Sequence, residues 1–310
     1  MTTLQPVTVP ASSANLGCAF DCAALALNLT MVVEATRLEE PGLEVFYRGP
    51  QGALVPDDAT NLVVRGISRL AAWAATPVPG LRLQIESEIP VGVGLGSSAA
   101  AIVAGLLIGA QLAPGRPDDA TLIGLAADLE GHPDNVGAAY LGGLVVTAST
   151  GGQGPVLSRK AEVPVELDFI AVVPEAAMPT SQSRAVLPDS FSREDAVHNQ
   201  QRTALLVASA FSGEFSFEPE FFADRWHQPQ RAALIPGLAE CLGLRHPDLL
   251  GVVLSGAGSA VLAVARRAAP EIGEQLVERF RSRGVGARAI LLKADNAGAK
   301  GRLALRDPVW

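Results

Sequence analysis

The chain has 310 residues and a formal net charge of −8, and this length suits a large hydrophobic core and about two domains. Its acidic balance argues against sequence-independent nucleic-acid binding, which needs a basic face, and its three cysteines form neither a disulfide framework nor a metal-ligand pattern. The N-terminus lacks a signal peptide and the most apolar stretch, 97–112, is shorter than the ~20 residues of a membrane span, so we expect a cytoplasmic protein with no membrane or nucleic-acid partner.

The first part of the chain contains three segments typical of strands, at 7–9, 25–36 and 43–47. Helical periodicity over 61–75 predicts the first helix, which the following TPVPG ends. The segment LRLQIESEI at 81–89 alternates apolar and polar residues as a half-buried strand does.

A glycine-rich loop, PVGVGLGSSAA at 90–100, connects this last strand to an apolar helical stretch. Its three glycines let the backbone bend sharply and approach a ligand without an intervening Cβ. Ser97 and Ser98 suit a helix start, where free N–H groups and the helix dipole favour an anion. A plain turn is the alternative, and the paired serines favour the anion site over it. The loop lacks the lysine of a Walker loop and the third glycine of a dinucleotide fingerprint.

The next helix is predicted over 118–130, because Pro117 and two aspartates stand at its start. The segment GHPDNVGAAYLGG interrupts this helix, and a strand follows at 144–149. The helix therefore ends at Glu130.

STGGQGP at 149–155 is the most linker-like stretch, and we place there the boundary between two domains, 1–154 and 155–310. Beyond it, the capping-box pattern SRED opens a helix at Ser192. The predicted elements of this part are strands at 168–173 and 288–295, two strands flanking the SGAGSA turn, and helices at 192–211, 218–225, 230–242 and 270–283. Strand pairs mixed with helices predict an α+β fold with antiparallel sheets.

Two polar side chains, Asn15 and Asp21, stand among Ala, Leu, Phe and Cys. A carboxylate in apolar surroundings is costly unless it is paired or binds a ligand. A local turn, which both residue types favour, is an equal alternative at this point.

A second polar group lies at the helix end EGHPDN, which contains Glu130, His132, Asp134 and Asn135. A glutamate is misplaced at a helix C-terminus, where the dipole favours cations, although a solvated helix end is the commoner explanation. Glu130 with a serine hydroxyl and phosphate oxygens provides oxygen ligands of the kind that Mg²⁺ takes. His132 alone is more typical of a hydrogen-bonded structural residue than of a zinc ligand.

Three arginines beyond the predicted boundary, Arg184, Arg202 and Arg231, are further candidates. Arginine binds planar carboxylates and phosphates with two hydrogen bonds at once, which lysine does not match. The residues alone do not rank the three.

These motifs together resemble the GHMP kinase superfamily and, within it, the homoserine kinases. Three superfamily landmarks occur in the expected order: VPASSANLG and FD within 9–21, PVGVGLGSSAA at 90–100 and SGAGSAV at 255–261. Three further segments are similar to the homoserine kinase branch, at 130–146, 180–207 and 224–237. The resemblance spans nearly the full chain. It implies a two-domain α+β GHMP kinase fold, with a ribosomal protein S5 domain 2-like N-terminal domain and an α/β-plait-like C-terminal domain.

The resemblance implies ATP- and Mg²⁺-dependent phosphorylation of the side-chain hydroxyl of L-homoserine, a step of threonine biosynthesis. It assigns the nucleotide to Asn61 and to the loop residues Pro90, Val91, Gly92, Val93, Gly94, Leu95, Gly96, Ser97, Ser98, Ala99 and Ala100. By the same resemblance the metal lies on Ser98 and Glu130, and the homoserine site is formed by Asn15, Asp21, His132, Asn135, Arg184 and Arg231. The implied catalytic set is Asp21, Asn135, Ser98 and Glu130. Homoserine kinases are often dimers, which leaves a homodimer open.

The chemistry of homoserine agrees with this division, because its ammonium needs an acidic partner such as Asp21 and its carboxylate needs an arginine pair. The general base stays open. Asp21 is occupied by the ammonium in this arrangement, Asn135 orients the hydroxyl but is a poor proton acceptor, and the γ-phosphate is the alternative acceptor.

The chain departs from the family pattern at two places. Cys18 and Ala19 replace the Pro and Gly of NLGPGFD, so a positive φ at Ala19 would strain the loop. Ser259 and Ala260 stand where SGAGPT is common, so a hydroxyl on the phosphate side is missing or displaced. A GHMP kinase for another small alcohol, such as mevalonate or a sugar, and a nucleotide-binding regulator are therefore retained as alternatives.

Overall fold

The protein is described here by a computed structural model that covers residues 2–115, 117–150, 155–175 and 180–302. Its strands are β1 (Thr2–Thr3), β2 (Val7–Ala14), β3 (Ala23–Arg37), β4 (Leu43–Arg48), β5 (Leu81–Ser87), β6 (Leu144–Ser149), β7 (Val156–Ala161), β8 (Asp168–Pro174), β9 (Leu249–Leu254), β10 (Val261–Ala265) and β11 (Ala287–Leu292). Its helices are α1 (Leu62–Trp73), α2 (Ser97–Leu112), α3 (Asp119–Glu130), α4 (Asp134–Leu141), α5 (Thr180–Ala185), α6 (Arg193–Phe211), α7 (Gln228–Ala232), α8 (Leu238–Leu242), α9 (Ala269–Arg281) and α10 (Gly298–Arg302). Two 3₁₀ turns, Gly52–Leu54 and Pro219–Phe222, complete the described elements.

The first sheet is organised around β3, which is long enough to pair with several neighbours along its length. The order is β4-β5-β3-β6-β7, and β1 and β2 also pair with β3. Only the β4–β5 pair is parallel among these described pairs. This arrangement places the loop between β2 and β3 beside the start of α2.

Helix α2 is the centre of the first core, because its Ala, Val, Ile and Leu residues are buried on every side. Helices α1, α3 and α4 pack around it. Asn61 caps α1 and Asp118 caps α3, each accepting a backbone N–H at the first turn. Within the described ranges, no helix is both long and apolar enough to cross a bilayer.

The second sheet, in the order β11-β8-β10-β9, is antiparallel throughout its described pairs. One face packs against α8 and α9 in a separate apolar cluster that includes Ile170, Leu254 and Phe280. Residues of the other face, such as Phe169 and Leu262, belong to the same continuous core as the first sheet. The two sheets therefore share a core, and the cleft described below is built from residues of both.

The α+β prediction with mainly antiparallel sheets is confirmed, and so are the predicted strands. Three elements differ. GHPDNVGAAYLGG, predicted as an interruption, contains α4, and the helix predicted over 230–242 is two short helices, α7 and α8. The helix predicted over 218–225 is only the 3₁₀ turn Pro219–Phe222. The second difference has a local cause, because Gly237 adopts a φ of 93° directly after Pro236 and starts a new helix.

The predicted boundary between 154 and 155 falls between β6 and β7, which pair as antiparallel neighbours in the first sheet. The change from the first sheet to the second comes later, between Ala161 and Asp168. The glycines that suggested a linker thus lie between two paired strands, and residues 151–154 lie outside the described residues.

Candidate active site

A cleft of about 280 Å³ lies where the glycine-rich loop, the β2–β3 loop, the α3–α4 junction and the β9–β10 turn meet. It brings together nearly all of the predicted site residues. Those lining it are Asn15, Asp21, Asn61, Val91, Gly92, Gly94, Leu95, Gly96, Ser97, Ser98, Glu130, His132, Asn135, Arg184 and Arg231.

Four predicted loop residues, Pro90, Val93, Ala99 and Ala100, do not line the cleft. Val93, Ala99 and Ala100 face the core instead, because the loop is pinned on one side and the first turn of α2 is buried on the other.

The glycine-rich loop is held against β2 and the β9–β10 turn by backbone hydrogen bonds. Ser12 N donates to Leu95 O at 3.2 Å, and Ala260 N donates to Val93 O at 3.0 Å. Gly96, in the left-handed region, precedes α2, and no side chain caps this helix. Among the described residues, the first N–H groups of α2 are therefore available to an anion.

The glycines of this loop differ in the space around them. A Cβ on Gly96 would stand 2.1 Å from Ser12 Oγ, and one on Gly94 would stand 2.1 Å from Ser255 O. A Cβ on Gly92 would meet nothing within 4 Å. All three glycines have a positive φ, which L side chains rarely adopt. The absence of a Cβ additionally allows close packing at Gly94 and Gly96, whereas Gly92 faces open space.

Asn61 lines the cleft, but both ends of its amide are used within the protein. Its Oδ1 accepts from Val63 N at 2.9 Å and its Nδ2 donates to Pro56 O at 2.7 Å. Asn61 thus fixes the start of α1 and the segment around Pro56. The wall of the cleft that it supports is apolar, with Met31, Tyr47, Leu54, Val55, Pro56, Leu62, Ile85 and Ala101.

Ser98 and Glu130 meet at the N-terminus of α2, where Ser98 Oγ donates to Glu130 Oε1 at 2.5 Å. Burial raises the pKa of the Glu130 carboxyl, and the Ser98 hydrogen bond opposes that change. Among the described residues, no group of three or more His, Cys, Asp or Glu side chains is placed to hold a metal ion. The pair offers two hard oxygen donors, which fits Mg²⁺, since that ion often keeps one or two protein ligands besides phosphate and water.

His132, Asp134 and Asn135 form a connected group at the start of α4. Asp134 Oδ1 lies 2.7 Å from His132 Nδ1 and accepts from Asn135 N at 2.6 Å. Burial lowers the pKa of His132, but the Asp134 hydrogen bond and the nearby carboxylates outweigh it, so the pKa is raised. Ser12 Oγ donates to Asn135 Oδ1 at 2.8 Å, which leaves the Nδ2 group of Asn135 as a donor for a ligand.

Asp21 and Arg184 form a two-point ion pair at the edge of the cleft. Arg184 donates from Nη2 to Asp21 Oδ1 at 2.9 Å and from Nη1 to Asp21 Oδ2 at 3.2 Å. Asn15 fixes the backbone of this loop, because its Oδ1 accepts from Asp21 N at 3.0 Å and its Nδ2 donates to Gly256 O at 2.9 Å. The turn role of Asn15 and the ligand role expected of Asp21 are thus compatible.

Arg231 is only 1% exposed and is held by three acceptors. Its Nε donates to Ser183 O at 3.1 Å, and its Nη1 donates to Gly256 O at 3.2 Å and to His227 Nδ1 at 3.0 Å. Burial, with a contribution from Arg184, lowers the pKa of Arg231 to about 10, so the guanidinium keeps its charge at neutral pH.

His227, which the sequence analysis did not single out, fixes Arg231 in place. Its Nε2 lies 2.8 Å from Gly17 O and donates to that carbonyl, so its Nδ1 is the acceptor for Arg231. Burial lowers the pKa of His227, which keeps the imidazole neutral as this arrangement requires. His227 directly precedes α7 and Arg231 follows four residues later within it, and this spacing is the signal that could have identified His227. Arg202 lies outside the cleft and donates to His198 O at 3.2 Å.

The first departure from the family pattern, Cys18 and Ala19, introduces no backbone strain at Ala19, because this residue does not have a positive φ. The left-handed residues of this loop are Asn15, Leu16, Gly17 and Asp21, and Ala19 is not among them. Cys18 Sγ lies 3.0 Å from Phe221 O, and burial raises the pKa of this thiol to about 11.

The second departure from the family pattern is at Ser259. Ser259 does not line the cleft, and its buried Oγ has no hydrogen-bond partner among the described residues. The hydroxyl is therefore displaced from the cleft, as the sequence suggests.

Comparison with known proteins identifies relatives over most of the chain. Residues 61–143 match the family model described as the GHMP kinases N terminal domain, and residues 214–282 match the GHMP kinases C terminal model. A homoserine kinase of Solibacter usitatus is 40% identical over 276 residues, which cover 89% of this chain and 90% of that relative. A homoserine kinase of Desulfitobacterium hafniense is 38% identical over 295 residues, covering 94% of this chain and 98% of the relative.

Solved structures give the same result. A crystal structure of homoserine kinase from Cytophaga hutchinsonii superposes with a TM-score of 0.83 at 25% identity, covering 96% of this chain and 98% of that one. A Streptococcus pneumoniae phosphomevalonate kinase in complex with phosphomevalonate and AMPPNP has a TM-score of 0.66 at 14% identity, covering 93% of this chain and 100% of that one. The second likeness shows the fold alone.

Proposed function

This chain belongs to the homoserine kinases, a branch of the GHMP kinase family, and we propose from that premise that it transfers the γ-phosphoryl group of ATP to L-homoserine within the cleft described above. The charged set formed by Asp21, Arg184 and Arg231 carries the assignment of the substrate to one end of the cleft. Homoserine carries one ammonium and one carboxylate, so it needs one acidic partner and a cationic one. A neutral sugar or alcohol would offer no carboxylate to Arg231 and no ammonium to Asp21.

The Asp21–Arg184 ion pair has the same two charges as the substrate it would receive. We infer that the ammonium of homoserine takes the place of Arg184 at Asp21, while its carboxylate binds the released Arg184 together with Arg231. Arg231 is fixed by Ser183, Gly256 and His227, so it would serve as the anchor. Arg184 is 41% exposed and has room to turn.

Phosphoryl transfer depends mostly on positioning and charge neutralisation, and the cleft supplies both. The uncapped N-terminus of α2 faces the region where phosphates would lie, and its N–H groups would stabilise their charge. Asn135 Nδ2, fixed through Ser12, would donate to the acceptor oxygen or to a phosphoryl oxygen. The apolar wall near Asn61 would receive the nucleobase.

Mg²⁺ is part of the same proposal, with Ser98 and Glu130 as its protein ligands. When bound, the ion supplies positive charge that neutralises the phosphate oxygens. The half-buried position of Glu130, where desolvation raises the pKa of its carboxyl, supports this role, because desolvating a carboxylate without a cation is costly.

The experiment that tests the function is ADP release with MgATP and one of four acceptors: L-homoserine, mevalonate, galactose or none. We expect turnover with L-homoserine alone. Turnover with another acceptor would keep the fold and the nucleotide site but overturn the substrate, and nucleotide binding without any turnover would favour a regulator.

Replacing Glu130 with glutamine is expected to lower kcat/KM about a hundredfold and to raise the Mg²⁺ concentration needed for half-maximal rate, because a charged oxygen ligand is lost. The measurement is the rate as a function of Mg²⁺ at fixed ATP. Asp128→Asn is the matched control, since Asp128 lies on the same helix but pairs with Arg69 outside the cleft. An unchanged Mg²⁺ dependence in E130Q would remove Glu130 from the metal site.

A further inference from the structure

Phe20 lies against both of the arginines that bind the substrate in the proposed function. The Cζ atom of Arg184 is 5.8 Å from the centroid of the Phe20 ring, and the Cζ atom of Arg231 is 5.6 Å from it. Both distances fall within the range of a cation–π contact. A single aromatic ring thus contacts two guanidinium groups.

Two guanidinium groups at one site repel each other, and the protein must offset that repulsion while the site is empty. Asp21 pairs with Arg184 and carries one negative charge. The hydrogen-bond partners of Arg231 are neutral, namely the carbonyls of Ser183 and Gly256 and the imidazole of His227, and the carboxylates of Asp21 and Asp224 act on it without a hydrogen bond. The negative face of the Phe20 ring supplies a further attraction to both arginines without adding a charge.

The ring itself is fixed. Phe20 packs on the imidazole of His227, with ring centroids 5.3 Å apart and an interplanar angle of 32°. His227 is fully buried and is tied to Gly17 and Arg231. Arg231 therefore contacts both members of a packed pair of rings, since it donates to His227 Nδ1 and its guanidinium lies over the Phe20 ring.

We propose that Phe20 is a positioning residue that holds Arg184 and Arg231 side by side for the carboxylate of the substrate. This inference rests on the proposed function. Phe20 does not line the cleft, so it acts through the arginines rather than by touching the substrate. An acidic residue at this position would compete with the substrate carboxylate, whereas an aromatic ring attracts the guanidinium groups without accepting their N–H hydrogen bonds. The consequence is selectivity for acceptors with a carboxylate.

The test is a double-mutant cycle with Phe20→Leu, Arg184→Met and the two combined, measured as KM and kcat for L-homoserine and KM for ATP. Leucine keeps an apolar side chain and removes the ring. We expect F20L to raise the KM for L-homoserine about tenfold with little change in kcat or in the KM for ATP. F20L should add less in the R184M background than in the wild-type protein, and Phe20→Tyr should restore most of the affinity.

Phe217→Leu is the matched control, because Phe217 packs in the core beside the rings of Phe215 and Phe222 and has no arginine on its ring among the described contacts. Additive effects of F20L and R184M, or equal loss in F20L and F217L, would overturn the positioning role. A wild-type protein that neither turns over L-homoserine nor binds it in calorimetry would overturn the proposed function itself. An active wild type with an unaffected F20L variant would overturn the inference about Phe20 alone.

Discussion

Replacing Asp21 with asparagine is expected to raise the KM for L-homoserine by about two orders of magnitude while the KM for ATP changes less than about twofold. Truncating one member of a hydrogen-bonded charge pair costs about 2–5 kcal/mol, and here the substrate ammonium would lose its partner. Arg184 would lose its partner as well, because it donates to both oxygens of Asp21. Initial rates over a matrix of homoserine and ATP concentrations separate the two KM values.

The same measurement distinguishes two roles of Asp21. A binding role appears in KM, whereas a role as general base appears as a large fall in kcat with a nearly unchanged KM. The ion pair with Arg184 favours the binding role, since it shows that this carboxylate accepts a cationic donor at this position. Asp168→Asn is a suitable control, because Asp168 is similarly exposed, at 30% against 34%, and pairs with Lys293 far from the cleft. A D21N variant with wild-type KM and kcat would exclude Asp21 from the site.

The sequence singled out residues that line one cleft, but it did not indicate which of them pair with each other. Glu130 stands out in the sequence because it is a glutamate at a helix C-terminus, and Asp21 because it is a carboxylate among apolar residues. The glycine loop stands out because three glycines directly precede an apolar helix. All of them line one cleft in the structure. Which arginine pairs with which acceptor depends on the approach of segments more than 150 positions apart, such as Asp21 and Arg184, and no local pattern contains that information.

Two further segments, STGGQGP and α4, show the same dependence on tertiary structure. STGGQGP has the composition of a linker, yet β6 and β7 on either side of it pair, because their register is decided by the sheet and not by the loop. Helix α4 has a small, glycine-containing sequence that is weak in helix propensity. It is helical because almost all of its residues are buried against β2, β3 and α2. Tertiary packing therefore decided both cases.

Replacing Gly96 with alanine is expected to destabilise the protein by about 4 kcal/mol, to lower its Tm by roughly 10 °C and to reduce kcat at least a hundredfold. The φ of 71° disfavours any L side chain, and the new Cβ would stand 2.1 Å from Ser12 Oγ and 3.0 Å from the Ser12 backbone. Ser12 is fully buried and holds Asn135, so the displacement would reach both α2 and the amide of Asn135. Thermal unfolding and steady-state kinetics measure the two effects.

Gly92→Ala provides the control within the same loop, because its φ of 75° imposes the same strain while nothing lies within 4 Å of the new Cβ. Its cost should be limited to the backbone term of about 1–2 kcal/mol, and any loss of activity should appear in the KM for ATP, since the methyl group would point into open space beside the phosphates. The comparison isolates close packing from backbone strain. If G92A and G96A lost the same stability and the same kcat, contact between the loop and Ser12 would not be what positions the start of α2, and the cleft would depend on loop conformation alone.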